Sequence, residues 1–478
     1  MNIPYSKRAF GVNRLISKCA FEVLWGYNRC AFEVPPMFKR KIYNKLLDWK
    51  SSSNGKTALL IEGARRIGKS TIVEEFGKHE YGSYILIDFA FADDDIHNLF
   101  SNLNDLDFLF MQLQLYYGVS LEKRNSLIIF DEVQFNPRAR QAIKMLVADG
   151  RYDYIETGSL ISISKNVKDI LIPSEERRIS MYPLDFEEFL WALGDSATMP
   201  ILEEFFTNRK SLGQQLNREI LRKFRLYMLI GGMPQAILEY LDSNNMATVD
   251  RVKRDIIDLY EQDFYKIDHK GKISALYDAI PNELNKHAKG YQVSSVLPFD
   301  RKASIADELS ELIASRTVLA AYNISDPNVG LSSTYNWVNF RLYSIDVGLL
   351  VTLMFKDKQF TENTIYNQLL SNRLSANLGI IYENVVAQIL ATKGYKLFYH
   401  TYYDRGRRRN YEVDFILPKA NKIVPIEVKS SAYRSHTTLD RFSEKYRNRI
   451  SEQIVIHTRD LNYDGSTLYL PVYLTHFI

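Results

Sequence analysis

The sequence predicts an α/β protein organised around a mostly parallel sheet. Three observations carry that expectation: an apolar run at Ala58–Glu62 that enters a glycine-bracketed turn, a second apolar run at Ser126–Phe130 that ends in two acids, and a strand candidate, Tyr84–Asp88, between them. Short, almost wholly apolar runs suit strands buried on both faces.

The first turn reads Gly63-Ala64-Arg65-Arg66-Ile67-Gly68-Lys69-Ser70, which satisfies GxxxxGK[ST] at every position. Its glycines let backbone N–H groups face a phosphate chain, Lys69 has the reach for the β- and γ-phosphates, and the Ser70 hydroxyl suits Mg2+. Thr71 and the residues to Phe76 continue as a helix whose positive amino-terminal end favours the anion. ATP and Mg2+ are therefore the expected cofactors, with residues 63–71 as the nucleotide-binding set. After the second run, Asp131 is expected to complete the metal site, and Glu132 to orient and deprotonate an attacking water.

A further strand, Tyr152–Glu156, leads into Thr157-Gly158-Ser159, so Thr157 or Ser159 is expected to sense the γ-phosphate; an ordinary strand-to-helix turn is the alternative. Arg177 and Arg178 are candidates for a cationic finger, or are surface arginines.

At 478 residues the chain is long enough for two or three domains. A net charge of +4 neither demands nor excludes a nucleic-acid partner. The only cysteines, Cys19 and Cys30, leave the remainder without a disulfide framework or thiolate metal site, which fits a reducing cytosol. The apolar run Val347–Phe355 is far shorter than the roughly 20 residues a membrane span needs, and no secretory signal is expected. Cys19–Val23 repeats as Cys30–Val34 before Pro35-Pro36, text unlike the helical spacing that opens at Met37; a translation start at Met37 is the preferred reading and a flexible arm the alternative.

Ile61–Ser70, Ile129–Gln134, Glu156–Ser159, Pro183–Phe189 and Gly231–Pro234 together resemble, in the same order, a large prokaryotic AAA-type ATP-binding family. The resemblance runs from about Met37 to the carboxy terminus. It implies an ASCE/AAA-type P-loop core over 37–200, a helical lid over 201–266, a winged-helix-like connector over 267–345, and a restriction-endonuclease-like domain, similar to the PD-(D/E)XK nucleases, over 346–478. By this analogy Pro183–Phe189 closes the ATPase sheet and Gly231–Pro234 belongs to the lid.

The residues between support that outline. Leu216, Ile220, Leu221, Phe224, Tyr227 and Met228 build one helical face, and Ile273–Lys286, Ile305–Ser315 and Val318–Asn323 suit two helices followed by a wing hairpin. Such a module binds DNA or serves as a spacer, and its second helix lacks a dense basic face.

In the last segment, Glu412–Leu417 and Ile423–Ser430 read as neighbouring strands, so Asp414, Glu427 and Lys429 fall on one sheet face, since alternate residues share a side. Asp414 and Glu427 suit a hard cation, and Lys429 suits a water or a departing phosphate. This D…ExK pattern resembles the PD-(D/E)XK core, which implies a further acid at Glu383 on the preceding helix. The basic run Arg405–Arg409 either meets phosphates of DNA or RNA or is a solvated loop. Three readings stay open: an ATP-gated nuclease, an ATPase whose terminal module only binds nucleic acid or protein, and a nucleotide switch that scarcely hydrolyses. Each is compatible with a homo-oligomer, and none needs a membrane.

Overall fold

A computed structural model describes residues 37–478 except 102, 159–173, 287–289, 299, 301, 329, 358–360, 362, 372–378, 405–407 and 431–433. The arm at 1–36, Ser159 and most of the Arg405–Arg409 run therefore lie outside the described residues. Residues 39–478 form one compact unit.

In chain order the first part comprises α1 (Ile42–Ser53), β1 (Ala58–Glu62), α2 (Lys69–Glu80), β2 (Ser83–Asp88), α3 (Asp94–Leu99), α4 (Leu106–Tyr117), β3 (Ser126–Asp131), α5 (Pro137–Asp149), β4 (Asp153–Gly158) and β5 (Glu176–Ser180). The strands make an all-parallel sheet in the order β2-β3-β4-β1-β5. Every residue of β1, β3 and β4 is buried, as expected of central strands covered by helices on both faces.

The strand order departs from the order in sequence. Tyr84–Asp88 precedes the acids in sequence but forms the outer strand β2; β4 is the strand inserted between the loop-bearing β1 and the acid-bearing β3.

A correction concerns Pro183–Phe189, which does not close the sheet. Edge strand β5 does so, pairing with β1 from Ala58↔Glu176 to Glu62↔Ser180. The aromatic-acidic segment instead starts α6 (Phe186–Ala192), capped by Asp185 and Glu188 in a reciprocal capping box. Asp185 takes the Glu188 N–H at 2.9 Å while Glu188 takes the Asp185 N–H at 3.1 Å.

Four helices follow: α7 (Thr198–Thr207), α8 (Gln214–Ile230), α9 (Pro234–Ser243) and α10 (Met246–Ile267). Next come α11 (Lys272–Asp278), α12 (Ile280–Asn285), α13 (Val293–Val296), α14 (Ala306–Ala314) and the antiparallel pair β6 (Val318–Ile324) and β7 (Tyr335–Ser344). This hairpin is not a free wing. Its β6 pairs in parallel with β8 (Leu397–Asp404), giving a sheet β7-β6-β8-β9, with β9 at Arg409–Val413.

The sheet thus runs across the boundary expected near residue 345. Beyond β7 lie α15 (Val347–Met354), α16 (Asn363–Leu370) and α17 (Gly379–Thr392), which precede β8 and β9. The chain ends with β10 (Phe415–Lys419), β11 (Lys422–Val428), α18 (Thr437–Lys445), β12 (Gln453–His457), β13 (Asn462–Tyr463) and β14 (Thr467–Pro471), whose strands order as β10-β11-β12-β14-β13. The apolar run at 347–355 is the buried helix α15, and no helix among the described residues is long and apolar enough to cross a membrane.

Candidate functional site

The loop between β1 and α2 turns twice through left-handed backbone, at Arg66 (φ 70°) and Gly68 (φ 92°). Gly63 is obligatory for space: a Cβ there would lie 2.5 Å from both the Met181 carbonyl oxygen and Ile67 Cδ1. Lys69 opens α2 with its side chain folded back into the loop, and its Nζ donates to the Gly63 and Ala64 carbonyls at 3.0 and 2.9 Å. Burial lowers the Lys69 pKa, an effect opposed by the charges of Glu132 and Asp131.

The acids sit where β3 ends. Asp131 Oδ1 accepts from Ser70 Oγ at 2.9 Å and from Thr157 Oγ1, so one carboxylate links the loop, β3 and β4. The Thr157 hydroxyl also takes the Glu132 N–H at 3.4 Å. Glu132 itself has φ 51°, a left-handed conformation uncommon for a side-chain-bearing residue and a mark of local strain held by its surroundings. Gln134, which the sequence reading passed over, donates to the Glu132 carboxylate. At the tip of β2, burial and the Asp131 charge raise the Asp88 pKa against the pull of the Ala90 N–H.

Loop residues 63–70, Asp131, Glu132 and Thr157 are thus gathered at one end of the sheet, where a parallel sheet presents its carboxyl ends. Ser70 and Asp131 offer oxygen donors of the kind a hard cation takes. Thr71 follows, exposed, in the first turn of α2. Glu156, adjacent to Thr157, is turned instead to the buried Arg140, which donates to Glu176 at 3.1 Å.

Arg178, a finger candidate, lies on edge strand β5 already paired with Glu176 at 2.8 Å and Glu62 at 3.7 Å, and Arg177 donates to Ser52. Both guanidiniums are thus engaged within the chain, Arg178 with two acids and Arg177 with a hydroxyl.

The loop is also braced from outside the sheet. Arg40 donates to the Ile67 carbonyl at 3.0 Å, Arg65 pairs with Asp263 of α10 at 3.1 Å, and Tyr260 donates to the Arg65 carbonyl at 3.0 Å. The Gly231–Pro234 turn joins α8 to α9 and comes against the loop, with Pro234 Cγ 3.8 Å from the Cβ position of Gly68. Its Gly232 N–H donates to buried Asp346 at 2.6 Å, and its Gly232 carbonyl accepts from Leu184 at 2.7 Å.

A second cluster of acids forms in the carboxy-terminal part. Asp414, at the bend between β9 and β10, accepts from the Val428 N–H at 2.8 Å, which sets it beside Glu427 across the β10–β11 pairing. Lys429 pairs with Glu427 at 2.5 Å, while Glu427 Oε2 is buried with no hydrogen-bond partner. Glu383 reaches the cluster from α17.

Two members come from β7, outside the expected domain. Arg341 donates to Glu383 at 3.0 Å and to Glu412, and Tyr343 donates to Glu383. The Arg341 guanidinium crosses the sheet over the Tyr399 ring, 4.8 Å from its centroid. Burial raises the pKa values of Asp414 and Glu412. For Asp414 the charges of Glu383, Glu427 and Glu412 raise it further; for Glu412 the Arg341 charge opposes. Burial also works against the charge of Arg341, but Glu383 and Glu412 outweigh it and hold the guanidinium cationic.

The cluster therefore contains every acid and the lysine expected from the sequence, plus Glu412, Arg341 and Tyr343, which were not expected. Among the described residues no three His, Cys, Asp or Glu side chains are disposed to hold a metal ion.

Comparison with known proteins divides the chain in three. Residues 55–190 match a family described as an AAA domain. Taken with the loop and acid geometry, this segment is an AAA-type P-loop NTPase core. Residues 221–359 and 378–475 match two domains of unknown function, DUF8612 and DUF4143. The first of these runs from within the expected lid through the β6–β7 hairpin.

No curated protein matches the chain. Among solved structures, a Walker-type ATPase of Pyrococcus abyssi is 15% identical over 66% of this chain and 96% of its own, with a TM-score of 0.41. The Aeropyrum pernix ORC1 protein in complex with DNA is 10% identical over 68% and 94%, with a TM-score of 0.26. The ADP form of the Aeropyrum pernix ORC2 protein is 13% identical over 72% and 97%, with a TM-score of 0.28. Likenesses this faint say nothing about function.

Proposed function

We propose that the chain binds ATP with Mg2+ at residues 63–71 and hydrolyses it, and that nucleotide state acts on the carboxy-terminal module. In this reading the loop N–H groups and Lys69 take the phosphates. The Lys69 ammonium exchanges the Gly63 and Ala64 carbonyls for phosphate oxygens, so the loop keeps its cation buried and oriented before ligand arrives. Ser70 and Asp131 would hold Mg2+, which would neutralise charge that develops on the phosphates.

Glu132 is the base, aimed by Gln134 and by the bond between its N–H and Thr157. The single observation that supports this most is Asp131, which touches both Ser70 of the loop and Thr157 of β4.

Glu132→Gln keeps shape while removing the base. It is expected to bind ATP with unchanged affinity and to lose hydrolysis by about a hundredfold or more. Unchanged hydrolysis removes Glu132 from the role, and loss of both ATP uptake and hydrolysis in Lys69→Ala with full activity in Glu132→Gln would leave a switch that another group discharges.

For the carboxy-terminal module, the grouping of Glu383, Asp414, Glu427 and Lys429 favours a nuclease-like site acting on a phosphodiester of DNA or RNA. As the side chains stand they do not form a metal cradle. Cutting is therefore a property of a state in which the cluster has opened.

A further inference from the structure

The carboxy-terminal acids are neutralised from within. Of the four, Glu383 and Glu412 share one guanidinium, Glu427 has the Lys429 ammonium, and Asp414 accepts from a backbone N–H. Arg341 is only 8% exposed, and its guanidinium occupies the space between Glu383 and Glu412, each of which it pairs. Meanwhile Glu427, 5% exposed, carries a buried oxygen with no hydrogen-bond partner beside Asp414.

A buried carboxylate oxygen left unpaired is costly, more so when charged, and calls for a partner such as a bound ion. The guanidinium itself is well held, by two carboxylates and the face of Tyr399.

We propose that Arg341 is a resident counter-ion that keeps the acid cluster closed, and that it must withdraw from Glu383 and Glu412 before a divalent cation can enter beside Asp414 and Glu427. This rests on the nuclease-like reading of the module. The latch is supplied by the hairpin β6–β7, so residues 346–478 alone are an incomplete site.

The placement explains why an arginine is tolerated on a strand whose neighbours Phe340, Leu342 and Tyr343 are buried. Ala321, opposite Arg341 in the register, is small enough to let the long side chain lie across the sheet. It also sets the direction of control: β7 ends two residues before Asp346, which holds Gly232 of the turn against the P-loop.

The test is Mn2+ uptake, read by the loss of the free-ion paramagnetic resonance signal, on the full-length chain carrying Asp131→Asn, which removes the acid expected to hold a cation at the nucleotide site. Arg341→Met in that background is expected to bind one Mn2+ about tenfold or more tighter than its parent. Adding Glu427→Gln is expected to abolish that gain.

Equal uptake in parent and Arg341→Met, with both folded by circular dichroism, overturns the latch. Should Arg341→Met fail to fold, Arg341→Lys decides. It keeps the charge but loses the fork that spans two carboxylates, so a smaller gain that again needs Glu427 supports the latch, and no gain overturns it. The nuclease-like reading is judged separately, by cleavage of labelled single- and double-stranded DNA and RNA. Mn2+ uptake without cutting leaves the latch and removes the nuclease; cutting by wild type with no Arg341 effect on Mn2+ does the reverse.

Discussion

Lys253 gives a quantitative handle on how firmly the P-loop is tied to the rest of the molecule. Its ammonium is fully buried in α10 and donates to the Leu229 carbonyl at 2.7 Å, the Tyr366 hydroxyl at 3.1 Å and the Gly348 carbonyl at 3.3 Å. Leu229 stands at the end of α8, two residues before the Gly231–Pro234 turn, Gly348 lies in α15 and Tyr366 in α16, so this one cation joins its own helix to three others around that turn. The groups facing it are Asp250 and Arg254 on its own helix, Asp346 ahead of α15, and Tyr366 on α16. Burial pulls the Lys253 pKa from 10.5 down to about 8, against the pull of Asp250 and Asp346.

The sign follows from proton counts. Between pH 8 and 10.5 the unfolded chain carries a protonated lysine and the native protein a neutral one, so the unfolded state binds more protons and stability rises with pH. One pKa unit is about 1.4 kcal/mol, so roughly 2 kcal/mol accrues between pH 8 and 9.5. Buried tyrosines, Tyr366 among them, have raised pKa values and lose stability in the opposite sense above pH 10, which is why the window stops below that.

In Lys253→Met the shape is nearly kept, but the Leu229 and Gly348 carbonyls and the Tyr366 hydroxyl lose a donor, and Asp250, still paired with Arg254, loses a neighbouring positive charge, so the variant is expected to be less stable by about 3 kcal/mol at pH 7. Its stability relative to wild type is then expected to fall by a further 2 kcal/mol, roughly, from pH 8 to 9.5. Urea unfolding followed by circular dichroism at four pH values measures this. Parallel curves for the two proteins would refute a depressed lysine at this position.

Two other substitutions separate the site from its frame. Thr157→Val keeps volume but removes the hydroxyl that touches Asp131 and the Glu132 N–H; turnover is expected to fall roughly tenfold to a hundredfold with ATP affinity unchanged, and a loss confined to affinity would mean Thr157 only packs. Gly232→Ala would drive a Cβ to 2.1 Å from the Leu184 carbonyl oxygen and 2.7 Å from its nitrogen, backbone atoms that cannot rotate away, so a loss of about 3 kcal/mol or more is expected. Gly118→Ala, with nothing within 4 Å but φ 63°, is expected to cost only about 1 kcal/mol; equal losses in thermal melts would show that the backbone yields to relieve the close approach at Gly232.

The nucleotide end of the molecule is legible because its determinants are local. The glycines, Lys69 and Ser70 are consecutive, and Asp131 and Glu132 follow an uninterrupted apolar run, so strand, loop and helix can be assigned without knowing how strands pair. Strand order is another matter: that β4 lies between β1 and β3 depends on crossovers that local text does not contain.

The Pro183–Phe189 segment was misread although its signal was present. Asp185-x-x-Glu188 is a capping box, and it announces a helix start rather than a sheet edge. Arg341 had no such signal. Its partner Glu412 is 71 residues away, joined only once β6 finds β8, and a lone arginine in a strand reads from sequence as one solvent-facing position.

What links the two ends is stiffness in a short stretch of backbone. Gly68 faces Pro234; the turn from Gly231 to Pro234 hangs on Asp346 through the Gly232 N–H; and Asp346 lies two residues past β7, which carries Tyr343 and Arg341. Gly231 and Gly348 approach so closely that a Cβ on Gly348 would be 2.6 Å from the Gly231 nitrogen. Two backbones in contact, with no flexible side chain between them, cannot absorb a displacement; they pass it on or come apart. Proximity alone does not make a coupling. Here, however, the far end of the chain of contacts is the charge clamp that we propose opens, with the guanidinium of Arg341 on β7 now held by Glu383 and Glu412. A nucleotide that moves the P-loop against Pro234 would therefore have a mechanical route to the acids, one that passes through the Gly232–Asp346 hydrogen bond and the Gly231–Gly348 contact.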